Sequence, residues 1–303
     1  MSIRHSLFVI AAFLLVSTNI SAQFNIDLDA NKGQRRSTTK RDDILWHPET
    51  ANTQYRHAGN VSLTTASRFG ISDRIELSTY LAFDYFQPNI AVKYRWNAKP
   101  KNWIFSSKIN FGNAYPGFKY AQKNEIKDFI DIDAKIPFVL ESGHEFLVSR
   151  RFTRDKNCSD GSEWLILTAS IGTYWGNDIK SGTVTQTPKH FLANRSMVLI
   201  DNNFLGSLKL WADWQTLNWL HLHGGMRFHH WSERKSFAYE LQTECEIFIT
   251  PALSTRAGFA FSAANYKSVK NVCGVLPIVD FTYYFGKKKS DERSLFNPNG
   301  VLY

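Results

Sequence analysis

The chain has 303 residues, 43% hydrophobic and 15% aromatic, with a net charge of +9 and a mean hydropathy of −0.31. Such aromatic content excludes a disordered chain, the low hydropathy excludes a bundle of membrane helices, and three cysteines exclude a disulfide scaffold. A basic excess of this size raises nucleic acid as a partner, a reading that the first element of the chain removes.

Met1-Ser2-Ile3-Arg4-His5 precedes ten apolar residues, Leu7 to Val16, and the small polar stretch Ser17 to Ala22. A charged start, a short apolar centre and a small-residue end predict a secretory signal peptide at 1–22, cleaved near Ala22. Ten apolar residues are too few to span a bilayer. The mature chain therefore leaves the cytoplasm, and no nucleic-acid partner is expected. No later run reaches eighteen apolar residues, so export leads either to a soluble protein or to an outer-membrane β-barrel. Residues 23–52 read as an N-terminal periplasmic or plug-like segment, 53–286 as the barrel, and 287–303 as a basic tail.

From residue 60 the chain alternates with period two. In Arg74–Tyr85, Ile75, Leu77, Leu81, Phe83 and Tyr85 oppose Arg74, Glu76, Ser78 and Asp84. Asn89–Asn97 and Trp103–Gly112 repeat the pattern, which gives each strand one apolar and one polar face. Further strands are predicted near Asn60–Gly70, Pro137–Phe152, Trp164–Gly176, Ser207–Gln215, Trp219–Trp231, Ser236–Ile249, Leu253–Asn265 and Val272–Phe285, eleven in all. Many exceed the usual five or six residues of soluble sheets and match a tilted transmembrane strand. Connections alternate between tight turns and the long polar stretches 113–136 and 177–206, as in outer-membrane barrels. An even strand number is usual there, so a twelfth is expected before Asn60, with Ile44–Tyr55 the candidate. The predicted fold is an all-β transmembrane antiparallel up-and-down barrel of about twelve strands.

Apolar faces end in Trp96, Trp103, Trp175, Trp214 and Tyr283, where aromatic girdles sit. The last strand alternates to Phe285, which resembles the C-terminal signal read by barrel-insertion machinery. Phe69-Gly70-Ile71-Ser72-Asp73-Arg74-Ile75-Glu76-Leu77 and Pro88-Asn89-Ile90-Ala91-Val92-Lys93-Tyr94-Arg95 are strand–turn–strand motifs. They resemble those of small bacterial outer-membrane barrels of the transporter type, including the phenol-degradation meta-pathway kind. The resemblance covers 60–112 by motif and 207–286 by layout. It implies passage of a small solute, with outer-membrane lipid as surroundings and no catalytic residues to carry over.

With the polar face inward, His221, His223, Arg227 and His229 share one wall, and Glu240, Glu244 and Glu246 the next. If the hairpin sets Trp231 opposite Ser236, then Arg227 faces Glu240, His223 faces Glu244 and His221 faces Glu246. Glu246 also faces Arg256. Lys93, Arg95 and Lys108 line the opposite wall, with Glu141, Glu145, Arg151, Lys209 and Asp213 as further lumen charges. These residues read as a structural ladder bracing the lumen or as a constriction that filters solutes by charge. Two histidines and a glutamate suit zinc, but alternating strand positions form no ligand motif, so no metal or cofactor is expected.

An embedded acyl hydrolase needs a Ser–His pair at the lipid-facing rim, and His144 and His230 on the outer face have no Ser in register. Gly-rich phosphate loops are absent from the sequence. The expectation is a channel or transporter rather than an enzyme. An accessory barrel acting through loops 113–136 and 177–206 ranks second, and a lipid-modifying hydrolase third.

Overall fold

In a computed structural model of the chain, residues 46–98, 102–124, 133, 135–153, 163–180, 204–217, 219–231, 237–250, 252–265 and 272–286 are described. The predicted signal peptide, its cleavage site, residues 23–45 and the basic tail lie outside them.

Twelve antiparallel strands close into a barrel, each paired with its sequence neighbours, and the first paired with the last. They are β1 (Gly59–Ser62), β2 (Ser67–Ser72), β3 (Ile75–Thr79), β4 (Asn89–Arg95), β5 (Trp103–Gly112) and β6 (Phe138–Thr153). Then follow β7 (Glu163–Lys180), β8 (Phe204–Leu217), β9 (Leu220–Trp231), β10 (Phe237–Thr250), β11 (Leu253–Asn265) and β12 (Val272–Phe285). Among the described residues two helices interrupt the connections, α1 (Leu81–Asp84) between β3 and β4 and α2 (Tyr115–Lys123) after β5, the latter opened by Pro116. No helix among the described residues is long and apolar enough to cross a membrane.

Burial is inverted relative to a soluble protein. Outward side chains are large and apolar, among them Ile171, Leu208, Leu210, Met226, Phe228, Leu241 and Phe259, all exposed. Trp96, Trp103, Trp175, Trp214 and Tyr283 are also exposed, near strand ends. Inward side chains are polar and buried. In β11 these are Ser254, Arg256, Ala260, Ser262 and Ala264, mostly small, which leaves room for the glutamates of β10 and for Tyr284. A closed sheet satisfies every interior backbone group between strands, so an apolar outside can face lipid.

Three predicted elements are corrected. The twelfth strand is not Ile44–Tyr55, because no residue from Trp46 to Tyr55 is in a strand. It arises instead because the predicted strand Asn60–Gly70 breaks into β1 and β2 at Leu63–Ala66. The break is held by the Asp280 carboxylate of β12, which accepts from the backbone N–H of Leu63 (2.8 Å), Thr64 (3.0 Å) and Thr65 (3.0 Å). Secondly, the strand predicted over Arg74–Tyr85 ends at Thr79. There Asp84 accepts from the Thr79 hydroxyl and the Asn89 backbone, folding the chain into α1. Thirdly, the polar stretch 113–136 carries α2.

Candidate functional site: a filled, charged lumen

The lumen wall is assembled by strand register. Across β9 and β10, Arg227 stands opposite Glu240, His223 opposite Glu244 and His221 opposite Glu246; across β10 and β11, Glu246 stands opposite Arg256. Lys93 stands opposite Glu76 and Lys108, and Lys108 opposite Glu145. Side chains then depart from register. Arg227 reaches Glu49 (2.9 Å), His229 lies 3.5 Å from Glu240, and Arg95 donates to the Asp73 carbonyl (2.7 Å). Arg256 keeps its cross-strand partner, with Nε 3.1 Å from Glu246. Among the other lumen charges, Glu145 accepts Lys209 (2.7 Å), Arg151 holds Asn52, and Glu141 accepts from Gln87.

Residues Trp46–Gln54 occupy the centre, and every one of them is buried. Their backbone finds partners on the wall, as a buried chain requires. Lys93 Nζ donates to the carbonyls of Pro48 (2.9 Å), Thr50 (3.1 Å) and Asn52 (3.1 Å). In the other direction, the N–H of His47 donates to Asp213 (2.7 Å), that of Ala51 to Ser149 (2.8 Å) and that of Gln54 to Glu76 (2.9 Å). The side chain of Glu49 lies between Lys209 and Arg227. Burial alone would raise its pKa, but Lys209, and after it Arg227 and Lys108, hold it well below the usual carboxylate range. Ala51 packs against Ile104 and Leu147 in a small apolar cluster.

His47 sits in an aromatic and acidic pocket. Its ring stacks on Trp211 (4.6 Å between centroids), with His223 at 5.0 Å. Gly225, opposite Trp211, makes room for that indole: a Cβ there would come within 2.7 Å of the ring and 2.9 Å of its Cα. Burial pushes the His47 pKa down to about 4, outweighing Glu244 beside it, so the imidazole is neutral near pH 7. Its Nδ1 accepts from the Glu49 N–H (3.3 Å), which places the proton on Nε2, 3.7 Å from Glu244.

Behind His47, His223 bridges two carboxylates, with Nδ1 3.0 Å from Asp213 and Nε2 2.9 Å from Glu246. The other oxygen of Glu246 accepts from Ser254 (2.5 Å) and Tyr284 (2.6 Å) and pairs with the Arg256 guanidinium. His221, fully buried, lies with its ring 4.6 Å from Phe248 and 6.2 Å from that of His223.

Sequence reasoning placed the wall residues but missed His47, Glu49, Trp211 and Tyr284. Trp211 and Tyr284 carried a usable signal, since both alternate with lumen charges on their strands. The other two had none, because Trp46–Gln54 shows no strand period.

No family model matches the chain, and no curated protein does. Solved structures similar to it include two of one protein. OmpT of Vibrio cholerae, expressed in the outer membrane, shares 7% identity at a TM-score of 0.34, over 75% of this chain and 64% of that one. OmpT of Vibrio cholerae folded in vitro, an outer membrane protein, shares 8% at 0.37, over 80% and 73%. The chain thus spans just under two thirds of the first of these.

The expectation that the barrel is not an enzyme is corrected at this point. The similar chains are outer-membrane proteins named OmpT, and a likeness this distant excludes no chemistry. A physical reason accompanies the correction. Folding brings imidazoles and carboxylates together in the lumen from the N-terminal segment, β8, β9 and β10, a grouping invisible to a motif search along the chain and away from the lipid-facing rim considered for a hydrolase.

Proposed function

We propose that this chain is an exported outer-membrane barrel of the transporter kind, passing a small polar solute through a lumen that Trp46–Gln54 closes. One observation carries the reading: the segment inside the barrel is held by polar contacts to charged wall residues. An apolar core would be the simpler way to fill a barrel that only has to be stable. Lys93 grips three carbonyls of the segment, and Glu49 joins the basic residues Lys209 and Arg227. Withdrawal of the segment would uncover a lumen lined by Lys93, Arg95, Lys108, Lys209 and Arg227 together with Glu240, Glu244 and Glu246, a lining that favours polar or charged solutes. Delivery would follow signal-peptide removal near Ala22 and insertion directed by the Val275–Phe285 strand.

Planar-bilayer conductance of the refolded barrel tests this reading. Deleting residues 46–54, or replacing Glu49→Gln, is expected to raise open-channel activity over the full chain. The same low conductance in all three proteins would overturn the channel reading and favour an accessory barrel acting through its loops.

A further inference from the structure

We infer that His221, His223 and Glu246 form a binding site for a divalent transition metal of the zinc type, set in the barrel wall. One donor atom from each of these three residues lies within 4.8 Å of the other two, and all three residues are buried. Two imidazoles and one carboxylate are a donor set that suits zinc, with the fourth position left to water or another ligand. Donors around a tetrahedral zinc stand about 3.3 Å apart, so side-chain movements of about 1 Å would close the site.

The groups behind the ligands are arranged as a metal site requires. Asp213 lies 3.0 Å from Nδ1 of His223 and orients the ring, while Nε2 meets Glu246 at 2.9 Å, so a bound cation would take the place of a proton between Nε2 and the carboxylate. Ser254, Tyr284 and Arg256 all hold Oε1 of Glu246, so the carboxylate is clamped with Oε2 facing His223 at 2.9 Å. His221 stands directly opposite Glu246 in the ladder, and His223 two residues along the same wall. Acidic groups predominate around the imidazoles: Asp213, Glu244 and Glu246 bring three negative charges and Arg256 one positive. A divalent cation offsets that excess where a proton on His223 offsets only part of it. The donors come from adjacent strands of a closed barrel, so the site is preorganised by backbone register.

The experiment uses the mature chain without an affinity tag, refolded in detergent after chelator treatment. Calorimetric titration with zinc chloride is combined with the visible spectrum of the cobalt-substituted protein, which reports ligand field directly. One equivalent of zinc per chain is expected. His221→Ala should weaken binding at least tenfold and alter the cobalt spectrum. Asp213→Asn, which keeps the shape but not the charge behind His223, should weaken it about 10–100-fold. His229→Ala, on the same wall but outside the cluster, should change it less than twofold. Heat-modifiable gel migration confirms that each variant is folded, and His221→Gln replaces any alanine variant that is not. Absence of saturable uptake, equal binding by the His221 variants, or equal loss in His229→Ala would overturn the site. None of these readouts depends on conductance.

Discussion

Gly70 is where the central segment leaves the lumen, and its missing side chain has a measurable purpose. A Cβ at this position would lie 1.9 Å from the carbonyl oxygen of Tyr55 and 2.9 Å from that of Gln54, both rigid backbone atoms. The same contact carries hydrogen bonds from His57 N to Gly70 O (2.8 Å) and from Gly70 N to Ala58 O (2.9 Å). Gly70→Val is therefore expected to lower barrel stability by about 1–3 kcal/mol, read as a lower urea midpoint in vesicles. An unchanged midpoint would contradict this packing. Glu49 gives a pH prediction at the same scale. Its pKa is held below the ordinary 4.5 when docked, so its contribution is complete above that value and is lost as pH falls through the docked one. His47 acts in the same direction. It is neutral when docked, with a pKa near 4, whereas the released imidazole takes up a proton below about 6.5, so docking weakens from there downward. Acid should thus open the barrel progressively, with the last step missing in Glu49→Gln, and conductance flat from pH 7 to 3 would refute the assignment.

At the scale of elements, the seam of the barrel is one of its short ladders. β1 meets β12 over Gly59–Ser62 only, whereas β6 and β7 pair along their whole length. Asp280 reinforces the seam by accepting three backbone N–H groups from the β1–β2 turn, and Ser62 meets Thr282 at 2.9 Å. Asp280→Ala removes these charge-assisted bonds, each worth about 1.5–3 kcal/mol. Amide exchange at residues 59–66 is expected to rise more than tenfold with little change in β6–β7, and uniform exchange across both regions would argue against a local seam. Elements were legible to different degrees. The β9–β10 register follows from hairpin arithmetic, because side chains alternate strictly and one turn length sets every pair. The β1–β2 break was not legible, because its cause is a carboxylate more than two hundred residues away in sequence.

Considered as a whole, the molecule places its apolar surface outside and its charge inside. Met226 lies mid-strand on the outer face, 57% exposed, opposite Leu210 and Leu241. Met226→Arg would set a charge in lipid and is expected to cost about 2–4 kcal/mol in vesicle unfolding experiments. A loss near zero would contradict a membrane setting for this face. The same strand tolerates Arg227 one residue on because that side chain turns inward to Glu49.

The amino-acid sequence by itself determined the strand period, the face each side chain takes, the barrel class and the wall charges of the lumen. All of these depend on neighbours along one strand or across one hairpin. Only the tertiary structure decided how the twelfth strand arises, what fills the lumen and which charges meet. Those outcomes depend on closure, which brings Asp280 to the first turn and Trp46–Gln54 among Lys93, Ser149, Lys209 and Asp213. A buried backbone and buried charges must find partners wherever the closed wall supplies them, and no local pattern encodes which ones those are.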